Sequence, residues 1–204
     1  MKLTVIVISI LCLLLSSCSL IPTQAEDEKS PSFKVNDALY EKANKSETSI
    51  KISLWDQKAW LLNSEGSVLL MTDVSTGVDG KLTPTGTFSV LEKLEKKRSN
   101  RYGKYVDKKT GEVVVAKSWE HKGPKPAGTM YEGIAMPYWM RLTWYGIGMH
   151  VGKFDKRVRS SFGCIRVLAD AQPYLYRKTR VGTKVEIVSK SLVVEMHHAE
   201  KNEN

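Results

Sequence analysis

The octapeptide SSFGCIRV, Ser160 to Val167, holds a lone cysteine between a glycine and an isoleucine-arginine pair. A thiol becomes a nucleophile when a base helps form the thiolate, and acyl transfer also needs backbone amides to receive the developing oxyanion. Gly163 permits close approach or unusual backbone angles beside the sulfur, so the amides of 163 and 164 are the natural oxyanion donors. The base must come from elsewhere. Of the four histidines, His121 lies in a Gly/Pro loop and His197 and His198 in the polar C-terminal stretch. His150, in GMHVG at the end of an apolar segment, stands far enough ahead of Cys164 for the chain to cross a loop and pair the two. Residue types and spacing alone leave two readings open: a Cys-His pair, or a small buried hydrophobe beside a structural histidine.

Composition narrows the alternatives. The 204 residues carry a formal charge of +9, spread along the chain with no helix-turn-helix or finger spacing, so nucleic acid is the weakest of the anionic partners. Cell-wall peptides and phosphate-bearing envelope polymers suit such a charge better. Two adjacent histidines without a third donor do not make a metal site, and no metal or organic cofactor is expected. The start, MKLTVIVISILCLLLSSCSL, has the layout of a secretory leader too short to span a membrane. Its end, Leu15-Ser16-Ser17-Cys18, resembles a bacterial lipobox, which implies cleavage after residue 17, lipid on Cys18 and, with Ser19 following, an outer-membrane destination facing the periplasm. Cys12 would leave with the leader, so no disulfide is available to Cys164.

The elements that must position the pair read as mostly β. Residues 18–47 are polar and read as a tether, with a turn or two of helix near Asp37 to Ala43. From Ile50 the apolar period becomes two, with strands over 50–54, 59–62 and 68–74 joined as a meander. Thr87 to Leu91 and Val113 to Ala116 are further strands, and the charged run KLEKKRSNRYGKYVDKKTGEV between them reads as a solvated loop or lid. IAMPYWMRLTWYGIGMHVG gives one or two strands ending near His150. In MPYWM, Met136 and Met140 read as core and Tyr138 and Trp139 as walls of a substrate pocket. Thr83 to Gly86 reads as a turn. LADAQPYLYRKT is a short helix limited by Pro173, GTKVEIVSK a closing strand, and 191–204 a polar tail.

MPYWMRLTWYGIGMHVG followed by SSFGCIRV resembles the signature of the YkuD-type L,D-transpeptidases, a histidine and then Ser, often His, Gly-Cys-Ile/Val-Arg. VSTGVDGKLTPTGTFSV and GTKVEIV resemble two further family stretches, so the likeness covers most of residues 48–190. It implies a mainly β catalytic domain, a sandwich or barrel-like fold with one or two short helices. By the same resemblance Cys164 attacks the carbonyl of the third residue of a peptidoglycan tetrapeptide stem, D-alanine leaves, and the acyl group passes to an amine of another stem or of an envelope protein. His150 is then general base and acid, and Gly163 contributes to the oxyanion hole. The carbonyl of Val151 or Gly152 orients the histidine, and Ser161 and Arg166 meet substrate or brace the loop. Phe162 departs from the pattern, standing where histidine is common, and the loop from Val151 to Ser160 is unusually basic, with Lys153, Lys156, Arg157 and Arg159. Three alternatives remain beside the transpeptidase: an L,D-carboxypeptidase using the same residues, a wall-binding lipoprotein with decayed catalysis, and a papain-like or NlpC/P60 endopeptidase. The last places cysteine before histidine, the reverse of the order here.

Overall fold

The computed structural model describes residues 31–155 and 157–201, the last by its backbone alone. The leader, Cys18 and Lys156 lie outside the described residues.

The meander expected from the period-two pattern is β2 (Ser49–Ser53), β3 (Lys58–Leu62) and β4 (Val68–Ser75). Ile50 and Ile52 of β2 sit opposite Leu61 and Ala59 of β3, and all four are buried in the main core. Trp60 and Leu62 face the other way and are covered too, which explains why KAWLL reads as continuously apolar. The cover is α3 (Val193–Lys201), whose Met196, with Leu192 just before it, packs against Trp60, Leu62 and Val68. The polar tail expected over 191–204 is therefore corrected in its first part: the Asp56 carboxylate accepts from the Leu192 amide (2.7 Å) and the Ser191 hydroxyl (2.7 Å), tying the helix start to the β2–β3 turn.

The tether also ends sooner than residue 47. β1 (Phe33–Val35) pairs antiparallel with β4, and α1 (Asp37–Lys42) follows, with Asn36 accepting from the Leu39 amide as its N-cap. Tyr40, 2% exposed, enters the core and donates its hydroxyl to the Tyr174 carbonyl at 3.0 Å. Phe33, Val35, Leu39 and Tyr40 suffice to anchor an otherwise polar stretch.

β5 (Gly86–Ser89) pairs with the closing strand β13 (Lys184–Val188), which lies parallel to β2. The charged run, expected as a solvated loop or lid, is corrected in its structure: it is mainly strand, and part of it borders the cavities at Cys164. It supplies β6 (Glu92–Leu94) and the ten-residue β7 (Arg98–Asp107), which with β8 (Val113–Val115) and β9 (Thr129–Ala135) forms a separate three-stranded sheet, the flap. Its charge comes from outward positions such as Arg98, Arg101 and Lys104, because the flap is covered on only one side. β10 (Trp139–Arg141) and β11 (Gly148–Val151) form a hairpin, and β12 (Ile165–Val167) joins β11 to β4. The main sheet thus runs β5-β13-β2-β3-β4-β12-β11-β10-β6, with β1 off this path on β4. After β12 comes α2 (Gln172–Arg177), with Pro173 in its first turn and Leu175 in the core.

Candidate active site

β11 and β12 run parallel with Met149 opposite Ile165, His150 opposite Arg166 and Val151 opposite Val167. Met149, Ile165 and Val167 are buried in the core, so alternation sends His150 and Arg166 to the opposite face, and Cys164 stands one residue before β12. The register therefore brings His150, Cys164 and Arg166 to one cavity of about 580 Å³.

His150 is buried, and its Nδ1 donates to the Val151 carbonyl at 2.8 Å. A carbonyl only accepts, so the proton sits on Nδ1 and Nε2 is the basic nitrogen. Burial pushes the imidazole down to about 4, opposed by the Val151 bond and assisted by the nearby Arg166 charge. Of the two carbonyls considered, Val151 supplies the bond. Gly152 does something else: a Cβ there would lie 2.6 Å from Arg166 Cγ, so the missing side chain is what lets Arg166 cross the strand. The Arg166 guanidinium donates to the Ser160 hydroxyl at 3.3 Å and faces the cavity.

The Cys164 thiol is half-buried, and its Sγ lies 3.5 Å from the Gly146 carbonyl oxygen. Burial pushes it above the ordinary thiol range, against a backbone hydrogen bond from Gly148 and the Arg166 charge. At neutral pH the resting pair is thus a neutral thiol beside a neutral imidazole.

The loop carrying the sulfur is braced from within. Gly163 has φ +112°, a region side chains avoid, and a Cβ would lie 2.7 Å from Ile147 Cδ1. Its amide donates to the Ser161 hydroxyl at 3.1 Å, and that hydroxyl donates to the Cys164 carbonyl. The expected oxyanion role of the Gly163 amide is therefore corrected: the group is already engaged. Ser161 is buried and serves the loop through these bonds, although it also borders the cavity. Thr83, read as a turn residue, donates to the Gly163 carbonyl at 2.8 Å and accepts from the Gly77 amide at 2.9 Å. The TPTG stretch was the signal for it.

The pocket walls also differ from expectation. Tyr138 has φ +53°, turns away from the cavity and meets Tyr176 of α2 edge-on at 5.4 Å. Met136 and Pro137, the former expected in the core, line the cavity instead. Trp139 is buried with its ring 6.0 Å from His150 and its Nε1 donating to Glu92 at 3.0 Å, so it supports the histidine. As expected of a wall, it also borders a second cavity at Cys164. Sequence reasoning missed the flap's contribution: Tyr102 and Trp119 reach the loop that carries Cys164 at Phe162, at 5.1 and 6.0 Å between ring centroids. That second cavity, of about 450 Å³, reaches Cys164 from the other side and is lined by Lys81, Lys97, Arg101 and Arg141. In the basic loop, Lys153 borders the first cavity and Arg159 approaches Asp79 at 3.8 Å. Among the described residues no group of three His, Cys, Asp or Glu side chains is placed to hold a metal.

The L,D-transpeptidase catalytic domain family, YkuD, matches residues 47–187. The chain belongs to this family. Solved structures similar to it include an L,D-transpeptidase from Stackebrandtia nassauensis, at 19% identity and TM-score 0.52, covering 72% of this chain and 58% of that one. An L,D-transpeptidase from Mycobacterium smegmatis is similar at 20% identity and TM-score 0.51, covering 70% and 59%. One from Mycobacterium tuberculosis H37Rv is similar at 15% identity and TM-score 0.50, covering 70% and 58%. The chain thus spans less than two thirds of each of these proteins, and at such identities the likeness is one of fold. No curated protein matches.

Proposed function

We propose that the protein is a peptidoglycan L,D-transpeptidase in which Cys164 forms a thioester with the third residue of a tetrapeptide stem and hands the acyl group to an amine. The observation that carries this reading is geometric: Cys164 and His150 line one cavity, and the Val151 carbonyl holds the His150 Nδ1 proton so that Nε2 is the free nitrogen. His150 Nε2 takes the thiol proton as sulfur attacks, then gives it to the departing D-alanine nitrogen. An incoming amine reverses the sequence: its nitrogen bonds to the acyl carbon, its proton passes to His150, the C–S bond breaks, and the sulfur is reprotonated. Arg166, in the same cavity, is positioned for the carboxylate of the terminal D-alanine. With the Gly163 amide held by Ser161, the Cys164 amide is the candidate oxyanion donor.

The same proposal places Cys18 under lipid, anchoring the enzyme in the envelope, in the outer membrane facing the periplasm. A released and a membrane-bound form are told apart by fractionation with and without Cys18→Ala.

The test is mass spectrometry of the protein incubated with disaccharide-tetrapeptide, beside Cys164→Ala. Loss of D-alanine with cross-linked dimers, absent in the control, is expected. Tripeptide alone points to the carboxypeptidase. Neither product nor acyl adduct, from folded protein, would sink the reading and favour a wall-binding protein.

A further inference from the structure

Two cavities meet at Cys164, and they differ in chemistry. The one holding His150 carries Trp119, Ile134, Met136 and Pro137 beside two cations, Arg166 and Lys153; the other gathers four cations, Lys81, Lys97, Arg101 and Arg141. Tyr102, Met136 and Phe162 border both, as Cys164 does, so these side chains form the partition between them.

Phe162 forms that partition through contacts with the flap. A register shift in the β7–β9 pairing between Arg98 and Gly103 lets the Ser99 hydroxyl accept from the Arg101 (3.2 Å) and Tyr102 (2.9 Å) amides, and the bulge delivers Tyr102 to the Phe162 ring. Trp119 meets the same ring edge-on, and the Lys81 ammonium lies 4.4 Å from its centroid. Tyr102 and Trp119 also touch, at 5.5 Å, which closes a triangle of three rings. Phe162 itself is 40% exposed, an unusual position for a phenylalanine that only packed.

Any group that departs from or attacks the acyl carbon must exchange a proton with His150, so leaving group and acceptor both use the His150 cavity. The acyl chain, with its own carboxylates, is then left to the more cationic side. We propose that Phe162 decides how the acyl-enzyme is resolved, by facing the His150 side of the thioester with an apolar ring so that an amine on an aliphatic stem is favoured over water. The inference rests on the transpeptidase reading. An amine attacks and yields an amide, water attacks and yields a carboxylate, and in both cases the C–S bond breaks and the thiol is regenerated. A phenyl ring offers no hydrogen bond to hold attacking water, whereas methylene groups gain from burial against it.

The test uses the full chain, disaccharide-tetrapeptide as donor and Nα-acetyl-lysine as the aliphatic amine, reading the ratio of amide to hydrolysed product per acylated enzyme. Slower acylation does not enter such a ratio. Phe162→Ala and Tyr102→Ala are expected to lower it by about tenfold, with Phe162→His, the residue common in the resembling pattern, between them and the parent. Tyr102→Phe, which keeps the ring, should leave it in place. An unchanged ratio in Phe162→Ala, with acyl adduct formed, overturns the inference and leaves the transpeptidase standing. Absence of any adduct in the parent protein overturns both.

Discussion

The main sheet and the flap approach Cys164 from opposite sides, and they are held together differently. Around β3, β4, β11 and β12 both faces are covered, with Leu61, Leu70, Met149 and Ile165 wholly buried. In the flap, Val113, Val114, Met130 and Ile134 are about half exposed, and the charged pairs lie on its surface. Cys164 and His150, the proposed nucleophile and base, are mounted on the first region. Groups whose task is to shape a cavity, Tyr102 and Trp119, come from the second. Local opening costs less where fewer apolar contacts are lost, so the flap is the side able to yield to a substrate while the nucleophile stays put.

The contrast is sharpest in chemistry. Cys164→Ala should abolish the acyl adduct altogether, measured by intact-protein mass spectrometry, whereas Trp119→Ala should leave an adduct forming. A Trp119 variant as dead as Cys164→Ala would break the division of labour.

Stability gives the next largest difference. Leu70→Ala, at a fully buried site on β4, is expected to cost about 2–5 kcal/mol in urea unfolding. Met130→Ala, at a 48% exposed site on β9, should stay within about 0.5 kcal/mol. Equal losses would mean that the flap packs like the core.

Acid should act through the sheet side. His150 takes up its proton near 6.5 when unfolded but only near 4 when folded, so between those values the unfolded chain binds more protons and stability falls as pH falls. The loss should approach about 3 kcal/mol by the lower end, at 1.36 kcal/mol per pH unit. His150→Gln should flatten that part of the curve, and an unchanged slope would place the acid-sensitive group elsewhere. Gly152→Ala, which drives a methyl group into the Arg166 stem, should cost about 1–3 kcal/mol with a fall in acylation rate. Smallest is the flap's surface charge: Glu132→Gln, removing the partner of Arg98 and Lys104, should change stability by less than about 1 kcal/mol, and less still in high salt.

Legibility followed the same divide. Ile50, Ile52 and the strands around them showed in the sequence because a sheet with a buried face must alternate. That Cys164 and His150 share a cavity was foreseeable because a histidine and then a cysteine, each near glycine, resemble the family signature. The flap was hidden: a strand covered on one side can carry Arg98, Arg101 and Lys104 outward and still pair. Met136 and Tyr138 were read on the wrong sides because residue type assigned them, thioether to core and phenol to pocket wall, and nothing in the types shows the positive φ that turns the chain at Tyr138. That the Gly163 amide belongs to Ser161 depends on a three-dimensional loop, and nothing in the order of residues shows it.

The neutral resting pair has one more consequence. Peroxides, disulfides and other oxidants react with thiolates, and a thiol held protonated by its surroundings presents them with little. On the proposed mechanism, Cys164 becomes nucleophilic only while a substrate carbonyl is in place and His150 is drawing off the proton. The reagent is made on demand, so the enzyme should outlast exposure to hydrogen peroxide that sulfenylates a cysteine kept as thiolate. With no second thiol among the described residues to rescue it, that reticence is the sulfur's own protection.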